Sequence, residues 1–160
     1  MKNLLAYIAI AISLTGYAQD LRTVFTKDAS QWQFDDLRFK TVFTNDWDNW
    51  RCDGVSIRTV FSEDWDSWKI GNEVRLKTVF SNDFDEWEIT GHGKRIKMRT
   101  TFSNDFERWE ISGDVEGRIN TVFSKDFERW RVDLDTEEIE DELKIALLFV
   151  PIIVRFRELK

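Results

Sequence analysis

LKTVFSNDFDEWEI, which spans residues 76–89, is the clearest copy of a fourteen-residue phrase that occurs six times in this chain. The copies occupy residues 21–34, 39–52, 57–70, 76–89, 98–111 and 119–132. Recurrence at 18 to 22 residues, measured between the copies' threonines, is typical of architectures built from one repeated supersecondary unit. The phrase therefore predicts six equivalent units in one fold.

Composition limits the function classes. The chain has 160 residues, which suggests one domain, and its 42% hydrophobic content is enough to build a core. Its net charge of −7 argues against a nucleic-acid partner, which selects for basic surfaces. The only cysteine, Cys52, cannot form an intrachain disulfide and occupies a position where other copies carry Phe, Ile or Val. We therefore interpret it as a buried apolar side chain.

Residues 1–18 have the pattern of a secretory signal peptide. Lys2 provides the positive start, Leu4–Leu14 the apolar stretch and Gly16–Ala18 a small-x-small cleavage site. The apolar stretch is shorter than the roughly 20 residues that a spanning helix needs. We expect cleavage after Ala18 and a mature chain that is exported, either to the periplasm or to the outside of the cell.

Period-two alternation within each copy indicates two half-buried strands joined by a turn. In the third copy Ile57, Thr59 and Phe61 share a face, and Trp68 and Ile70 share a face after the turn. Six such hairpins predict about twelve antiparallel strands over residues 19–134. The fold class is therefore mainly β, an antiparallel meander.

Strand registers follow from the rule that paired residues face the same side of a sheet. Within the third copy, alternation pairs Phe61 with Trp68 and Thr59 with Ile70. Between copies, it pairs Trp50 with Ile57, Cys52 with Val55, Trp68 with Leu76, Ile70 with Val74, Trp87 with Met98, Ile89 with Ile96 and Trp109 with Ile119.

The two faces of the predicted sheet differ in chemistry. The outer face carries a basic row, which consists of Arg22, Lys40, Arg58, Lys77 and Arg99. The inner face carries twelve aromatic residues, which are Phe25, Phe43, Phe61, Phe80, Phe102, Phe123, Trp32, Trp50, Trp68, Trp87, Trp109 and Trp130. A face so rich in aromatic rings cannot stay in water, so the sheet is expected to close or to be covered.

The C-terminal segment, residues 135–160, is the expected cover. Asp135 with Glu138 resembles a capping box, and acids at the start with bases at the end suit the dipole of a helix over residues 136–158. Ile145–Val154 is apolar on all sides, as in a helix buried on every side or placed in lipid. Twelve tilted strands would close to a radius of roughly 12 Å, which leaves room for a helix on the axis.

A twelve-stranded antiparallel barrel around a C-terminal apolar helix resembles the tubby-like superfamily, which includes scramblases and LURP-one-related proteins. The hairpin phrase Thr78-Val79-Phe80-Ser81 with Trp87-Glu88-Ile89 is similar in style to its strands. The resemblance covers residues 20–160 in architecture only. It implies a barrel closed around the helix, and it implies no role for any single residue.

Paired acids recur in the turns and are the candidate metal ligands. Two acids spaced two residues apart could hold Ca²⁺, or the first could accept backbone N–H bonds in an Asx turn, the reading that we prefer. The first copy lacks the second acid, since it reads Asp28-Ala29-Ser30. The weak calcium candidates are Asp46, Asp48, Asp64, Asp66, Asp83 and Asp85.

Five of the six turns also carry an aromatic residue between their acids. These side chains could fold over the rim of the barrel, or they could form an exposed row that binds a sugar or a protein partner. The residues of this candidate partner-binding rim are Trp47, Trp65, Phe84, Phe106 and Phe127.

No pattern for catalysis stands out. His92, the only histidine, is predicted at a solvated turn tip, and no cofactor-binding or zinc motif occurs. The leading hypothesis is an exported, non-enzymatic binding or structural module without a cofactor. The alternative is a protein that interacts with lipid or membrane through the apolar segment of its C-terminal helix.

Overall fold

Twelve antiparallel strands form a closed barrel, and a single helix follows them, in a computed structural model that describes residues 19–135 and 138–159. The predicted fold class is confirmed. The predicted signal peptide, residues 1–18, lies outside the described residues. The strands are β1 Gln19–Phe25, β2 Asp28–Phe34, β3 Leu37–Thr41, β4 Asn49–Cys52, β5 Val55–Phe61, β6 Asp64–Ile70, β7 Val74–Phe80, β8 Asp83–Gly91, β9 Lys94–Thr100, β10 Arg108–Gly113, β11 Gly117–Thr121 and β12 Arg129–Leu134.

Every strand pairs with its neighbours in the chain, and β1 pairs with β12 to close the wall. At this closure Arg129 donates from Nε and Nη2 to one carboxylate oxygen of Asp20, at 2.8 and 2.6 Å. The barrel has two ends. The hairpin end holds the turns within the copies, and the linker end holds the turns between them.

The predicted registers between copies are confirmed. Trp50 pairs with Ile57 and Cys52 with Val55. The five other predicted pairs, from Trp68 with Leu76 to Trp109 with Ile119, are also present. Turns of unequal length therefore keep the same residues facing inward in all copies.

The predicted registers within copies are wrong by two residues. Thr59 pairs with Trp68 and Ile57 with Ile70, while Phe61 pairs with Asp64 beside the turn. The pairing shifts between Thr59 and Phe61, and the same shift occurs in the first and fourth copies. An irregularity of this kind breaks strict alternation, so the residue after it no longer follows the period of two.

The prediction that six phenylalanines lie on the inner face is therefore wrong. They are between 57% and 67% exposed, and we call them the phenylalanine collar: Phe25, Phe43, Phe61, Phe80, Phe102 and Phe123. The six tryptophans are buried as predicted, each at most 1% exposed. The basic row is exposed on the outer wall, also as predicted.

The helix α1, Asp141–Arg157, supplies the centre of the core. Its residues 145–154 are all buried, as is Phe156. Phe149 contacts Trp68 with ring centroids 4.9 Å apart and Trp50 at 5.5 Å, so the helix packs directly on the tryptophan layer. Acids stand in its first turn and Arg155 and Arg157 in its last, which suits the helix dipole.

The predicted start of the helix is wrong. The helix begins at Asp141, and its N-cap is Glu140, which makes no side-chain capping bond; Asp135 lies before it in irregular structure. Of the predicted span 136–158, residues 136 and 137 lie outside the described residues. The chain must travel from the wall at Leu134 to the barrel axis, and Glu140 is still extended at φ −62° and ψ 142°.

The two helix ends are held at opposite ends of the barrel. At the linker end, Asn72 donates its backbone N–H to Glu142 at 3.3 Å, and Lys94 donates to Glu140 at 2.8 Å. Gly71, with φ +57°, leaves space for Glu142, since an added Cβ would collide with that carboxylate. At the hairpin end, Arg155 donates to Glu128 at 2.8 Å. The hairpin end is therefore the end where the wall, the helix C-terminus and the collar meet.

Candidate functional site

The six turns at the hairpin end share one backbone conformation. The residue that follows Ser or Thr in each turn has a left-handed φ between 58° and 66°, at Lys27, Asn45, Glu63, Asn82, Asn104 and Lys125. Asn tolerates this region better than most residues, whereas Lys and Glu adopt it at a cost. Neighbouring bonds must therefore hold these turns in place.

The first acid of each copy provides one such bond. Its Oδ1 accepts the backbone N–H two residues later, at 2.9 to 3.1 Å in all six copies. This is the Asx turn expected from the sequence. The six acids that act in this way are Asp28, Asp46, Asp64, Asp83, Asp105 and Asp126.

The second acid, which five copies carry, links its copy to the next one. Asp48 accepts the backbone N–H of Glu63 at 2.9 Å, and Asp66 accepts that of Asn82 at 2.7 Å. Asp85 does the same for Asn104. Glu107 with Lys125, and Glu128 with Lys27, complete five of these bonds, the last across the closure of the barrel. We call them the acid clasps.

The tryptophan of each copy satisfies its own polar group. Its indole Nε1 donates to the backbone carbonyl three residues earlier, at 2.7 to 3.1 Å, in all six copies. A buried indole N–H without a partner would be destabilising, so this bond permits full burial of the ring. Each copy is therefore a self-contained turn, and five of the six are joined to the next by a clasp.

The weak calcium candidates lie in these turns. Asp48, Asp66 and Asp85 receive the clasp donors, and the first acids receive N–H groups from their own turns. Among the described residues, no group of three or more His, Cys, Asp or Glu side chains is placed to hold a metal ion. The calcium hypothesis thus has no supporting geometry in residues 19–135 and 138–159.

The aromatic residues between the acids fold over the hairpin end of the core. Trp47 stacks on Phe156 at 5.3 Å between ring centroids, and Trp65 meets the same ring edge-on at 5.0 Å. Phe84 lies beneath the guanidinium of Arg157, whose carbon is 3.3 Å from the ring centroid. Burial lowers the pKa of Arg157. Phe106 and Phe127 pack beside the inner tryptophans of their own copies.

The exposed aromatic row is the phenylalanine collar, which lies earlier in each copy than the predicted rim residues. The collar rings are exposed at the hairpin end, whereas the aromatic residues between the acids are buried or partly buried against the core. Sequence reasoning missed the collar because it assumed unbroken alternation up to the turn. The available signal was a second aromatic residue in five of the six turns, since only one of the two can occupy the inner rim.

The exposed apolar surface is concentrated at the hairpin end. Among the described residues, the exposed large hydrophobic side chains are the collar, the preceding valines of four copies and Leu159. Those valines are Val24, Val42, Val60 and Val79. Leu159 follows α1 and lines one cavity together with Phe43 and Trp47. A patch gathered at one place marks an interaction surface more often than scattered apolar residues do.

The basic row lies on the outer wall next to these valines. Lys77 contacts Glu88 at 3.4 Å, and Arg99 contacts Glu110 at 3.5 Å, both across neighbouring strands. Exposed pairs of this kind contribute about 0–1 kcal/mol. The row is thus a solvated face with weak internal pairing.

His92 is exposed at the turn tip, as predicted, with φ +50°. Its ring lies between two carboxylates. Nδ1 is 3.2 Å from Glu73 and Nε2 is 3.2 Å from Glu142, so the ring connects the linker end to the start of α1. Cys52 is buried as predicted, and burial raises the pKa of its thiol to about 12.

Residues 19–135 and 138–159 include no helix long and apolar enough to cross a membrane. Comparisons with protein-family models, curated proteins and solved structures found no match for the chain. The chain is thus characterised by its own geometry: a twelve-stranded barrel filled by a helix, with acid clasps and an exposed phenylalanine collar at one end.

Proposed function

We propose that this chain is an exported, non-enzymatic binding module that meets its partner through the phenylalanine collar. The observation that carries the proposal is the exposure of one phenylalanine in every copy at the same end of the barrel. Full burial of a phenylalanine side chain is worth about 1.5–3 kcal/mol. Burial of these six exposed rings against a partner would therefore contribute a large free energy to binding.

The non-enzymatic part of the proposal rests on the uses of the polar side chains. The repeated acids are engaged by turn N–H groups, and the only histidine lies between two glutamates at the linker end. Export rests on the pattern of residues 1–18. The likeness to the tubby-like superfamily is one of architecture, and no residue role is transferred from it.

The alternative partner surface is the apolar segment Ile145–Val154, inserted into lipid. That insertion would require α1 to leave the barrel and expose the tryptophan layer on which Phe149 packs. The collar needs no such rearrangement, because its rings are already in solvent. We therefore favour the collar.

The test uses two triple variants of the mature chain. Phe43→Ser, Phe61→Ser and Phe80→Ser together remove half of the collar, and leucine at the same three positions keeps most of the apolar area. Each protein is incubated with an extract of the source cells' envelope and medium, and the molecules that it retains are compared. We expect the serine variant not to retain the molecules that the wild-type protein retains. The leucine variant should keep them, and both variants should unfold at nearly the wild-type temperature, since exposed substitutions change stability by about 0.5 kcal/mol or less.

Unchanged retention by the serine variant would place binding elsewhere and contradict the role of the collar. Turnover of any substrate, lost when Asp85 or another repeated acid is replaced, would contradict the non-enzymatic assignment. The two parts of the proposal thus fail separately.

A further inference from the structure

The first copy breaks the pattern of acid clasps. Ser30 stands where the other copies carry Asp48, Asp66, Asp85, Glu107 and Glu128. The turn that it would clasp contains Asn45, whose φ of 60° matches the other five turns. In residues 19–135 and 138–159, no side chain accepts the Asn45 backbone N–H, whereas each of the five equivalent N–H groups donates to a carboxylate.

A cavity lies at the place of the missing clasp. It has a volume of about 630 Å³ and lies between the first and second hairpins. Ser30 lines one side and Asn45 the other, so the cavity includes both the absent acid's position and the donor that the acid would have bound. A volume of this size admits a small organic molecule.

The charged side chains that line this cavity are mainly cationic. Lys27 and Lys40 both contribute to it, and neither forms an ion pair with another described residue. One acid, Asp28, also lines the cavity, but its Oδ1 accepts the N–H and hydroxyl of Ser30. Two lysines and the Asn45 backbone therefore line the cavity together with one partly engaged carboxylate, in a protein with a net charge of −7.

Part of the remaining lining is apolar, beside neutral polar side chains. Phe43 of the collar, Trp47 and Leu159 contribute to the same cavity. Trp47 is held in place by its stacking on Phe156, so this side of the cavity rests on the core. The cavity thus combines polar groups with a few apolar side chains, as a site for an amphipathic small molecule does.

We propose that this cavity binds a carboxylate that carries an apolar group, with the carboxylate in the position of the missing second acid. The five intact clasps show what this turn accepts. In the fourth copy, both oxygens of Asp85 lie 3.0 Å from the N–H of Asn104. In the cavity the external carboxylate accepts the N–H of Asn45 and pairs with Lys27 and Lys40, while the apolar group contacts Phe43 and Trp47.

This site does not depend on the collar's macromolecular partner. Only Phe43 belongs to both, and the ligand is recognised by its carboxylate and not by its apolar area alone. Failure of the carboxylate site would leave the collar proposal unaffected, and failure of the collar proposal would leave this site unaffected.

The experiment is an NMR titration of the ¹⁵N-labelled mature chain. Phenylacetate is the first probe, and neutral phenylacetamide is its matched control. We expect phenylacetate to shift the Asn45 amide resonance saturably, with smaller shifts at the clasped Asn82 and Asn104 amides. An equal response to phenylacetamide, or no response of Asn45 to phenylacetate, would overturn the proposal.

Substitutions of residues that line the cavity test the same site. Ser30→Asp supplies the missing acid, so we expect it to abolish phenylacetate binding and to raise the melting temperature by about 3 °C. Ser56→Asp adds the same charge on the exposed outer wall and should change neither property. Undiminished binding by a folded Ser30→Asp protein would contradict the proposed position of the carboxylate.

A second pair of variants keeps the test decisive if Ser30→Asp does not fold. Lys40→Gln should weaken phenylacetate binding about fivefold, because it removes one of two cations. Lys77→Gln, at the same repeat position outside the cavity, should not change it. Equal affinities for the two variants would contradict the role of Lys40.

Further probes distinguish the source of the carboxylate. A short peptide with a free C-terminal phenylalanine, compared with its amidated form, represents a protein chain end, and phenylacetate represents a free metabolite. Tighter binding of the free-ended peptide than of phenylacetate would assign the site to chain ends, and the reverse order to small molecules. Inorganic phosphate that shifts Asn45 as strongly as either would contradict selectivity for a carboxylate.

Discussion

Phe149→Ala is expected to lower the free energy of unfolding by about 3–5 kcal/mol, the range for removal of a fully buried phenylalanine. Phe149 is 0% exposed and lies at the centre of the aromatic core. Its ring contacts Phe39, Trp50 and Trp68, with centroids 4.9 to 6.4 Å apart. Because the closed wall around these rings is held by twelve strand pairings, it cannot collapse into the cavity that the substitution leaves.

Urea unfolding measures this loss, and Phe61→Ala is the matched control. Phe61 is 67% exposed in the collar, so the same change in chemistry should cost about 0.5 kcal/mol or less. Similar losses for the two variants would show that Phe149 does not occupy the core, or that the collar is buried. Either result would contradict the assignment of Phe149 to the core and of the collar to the exposed surface.

Asp85→Ala is expected to lower the free energy of unfolding by about 2 kcal/mol, the cost of leaving a partly buried set of donors without a charged acceptor. Asp85 accepts the N–H of Asn104 with both oxygens. It also accepts the hydroxyls of Thr100 and Ser103, both at 3.1 Å. One side chain therefore holds the turn of the next copy, which has a left-handed residue at its tip.

The matched control for Asp85→Ala is Ser30→Ala, since Ser30 holds the same repeat position but clasps no turn. We expect this control to lose less than half as much stability. Thermal unfolding of both variants, compared with wild type, gives the answer. If Asp85→Ala were as mild as Ser30→Ala, the clasps would not contribute to stability, and the second acids would need another explanation.

The architecture could be predicted because the same alternation of inward and outward residues occurs in all six copies. Pairing of Trp50 with Ile57 and of Trp87 with Met98 follows from facing alone, whatever the length of the turn between them. The helix could be predicted because Ile145–Val154 has no polar side and is too short for a bilayer. Burial of this segment in a closed barrel satisfies both facts.

Local deviations from ideal geometry could not be predicted in the same way. The register of Thr59 with Trp68 depends on an irregularity before the turn, and alternation gives no warning of it. The start of α1 depends on the path from the wall to the axis, which outweighed the capping pattern at Asp135. Propensity and capping are weak where the chain must cross such a distance.

Part of the candidate site was within reach of the sequence. The first acids were predicted to form Asx turns, because Asp accepts N–H bonds two residues on. The acid clasps join residues of successive copies, such as Asp66 and Asn82, so they appear only when the strands are placed. The cavity lies beside Ser30, where the first copy lacks the second acid of the other copies. That difference was visible in the sequence.

The central claim is that α1 is the core of the barrel and not an appendage. The most direct test compares urea unfolding of residues 19–160 with that of residues 19–135, followed by tryptophan fluorescence. We predict a single cooperative transition for the longer chain and none for the shorter one, in which Trp50 and Trp68 would lose their contacts with Phe149 and Phe156. A soluble fragment 19–135 that unfolds cooperatively, with buried tryptophan emission, would contradict the claim.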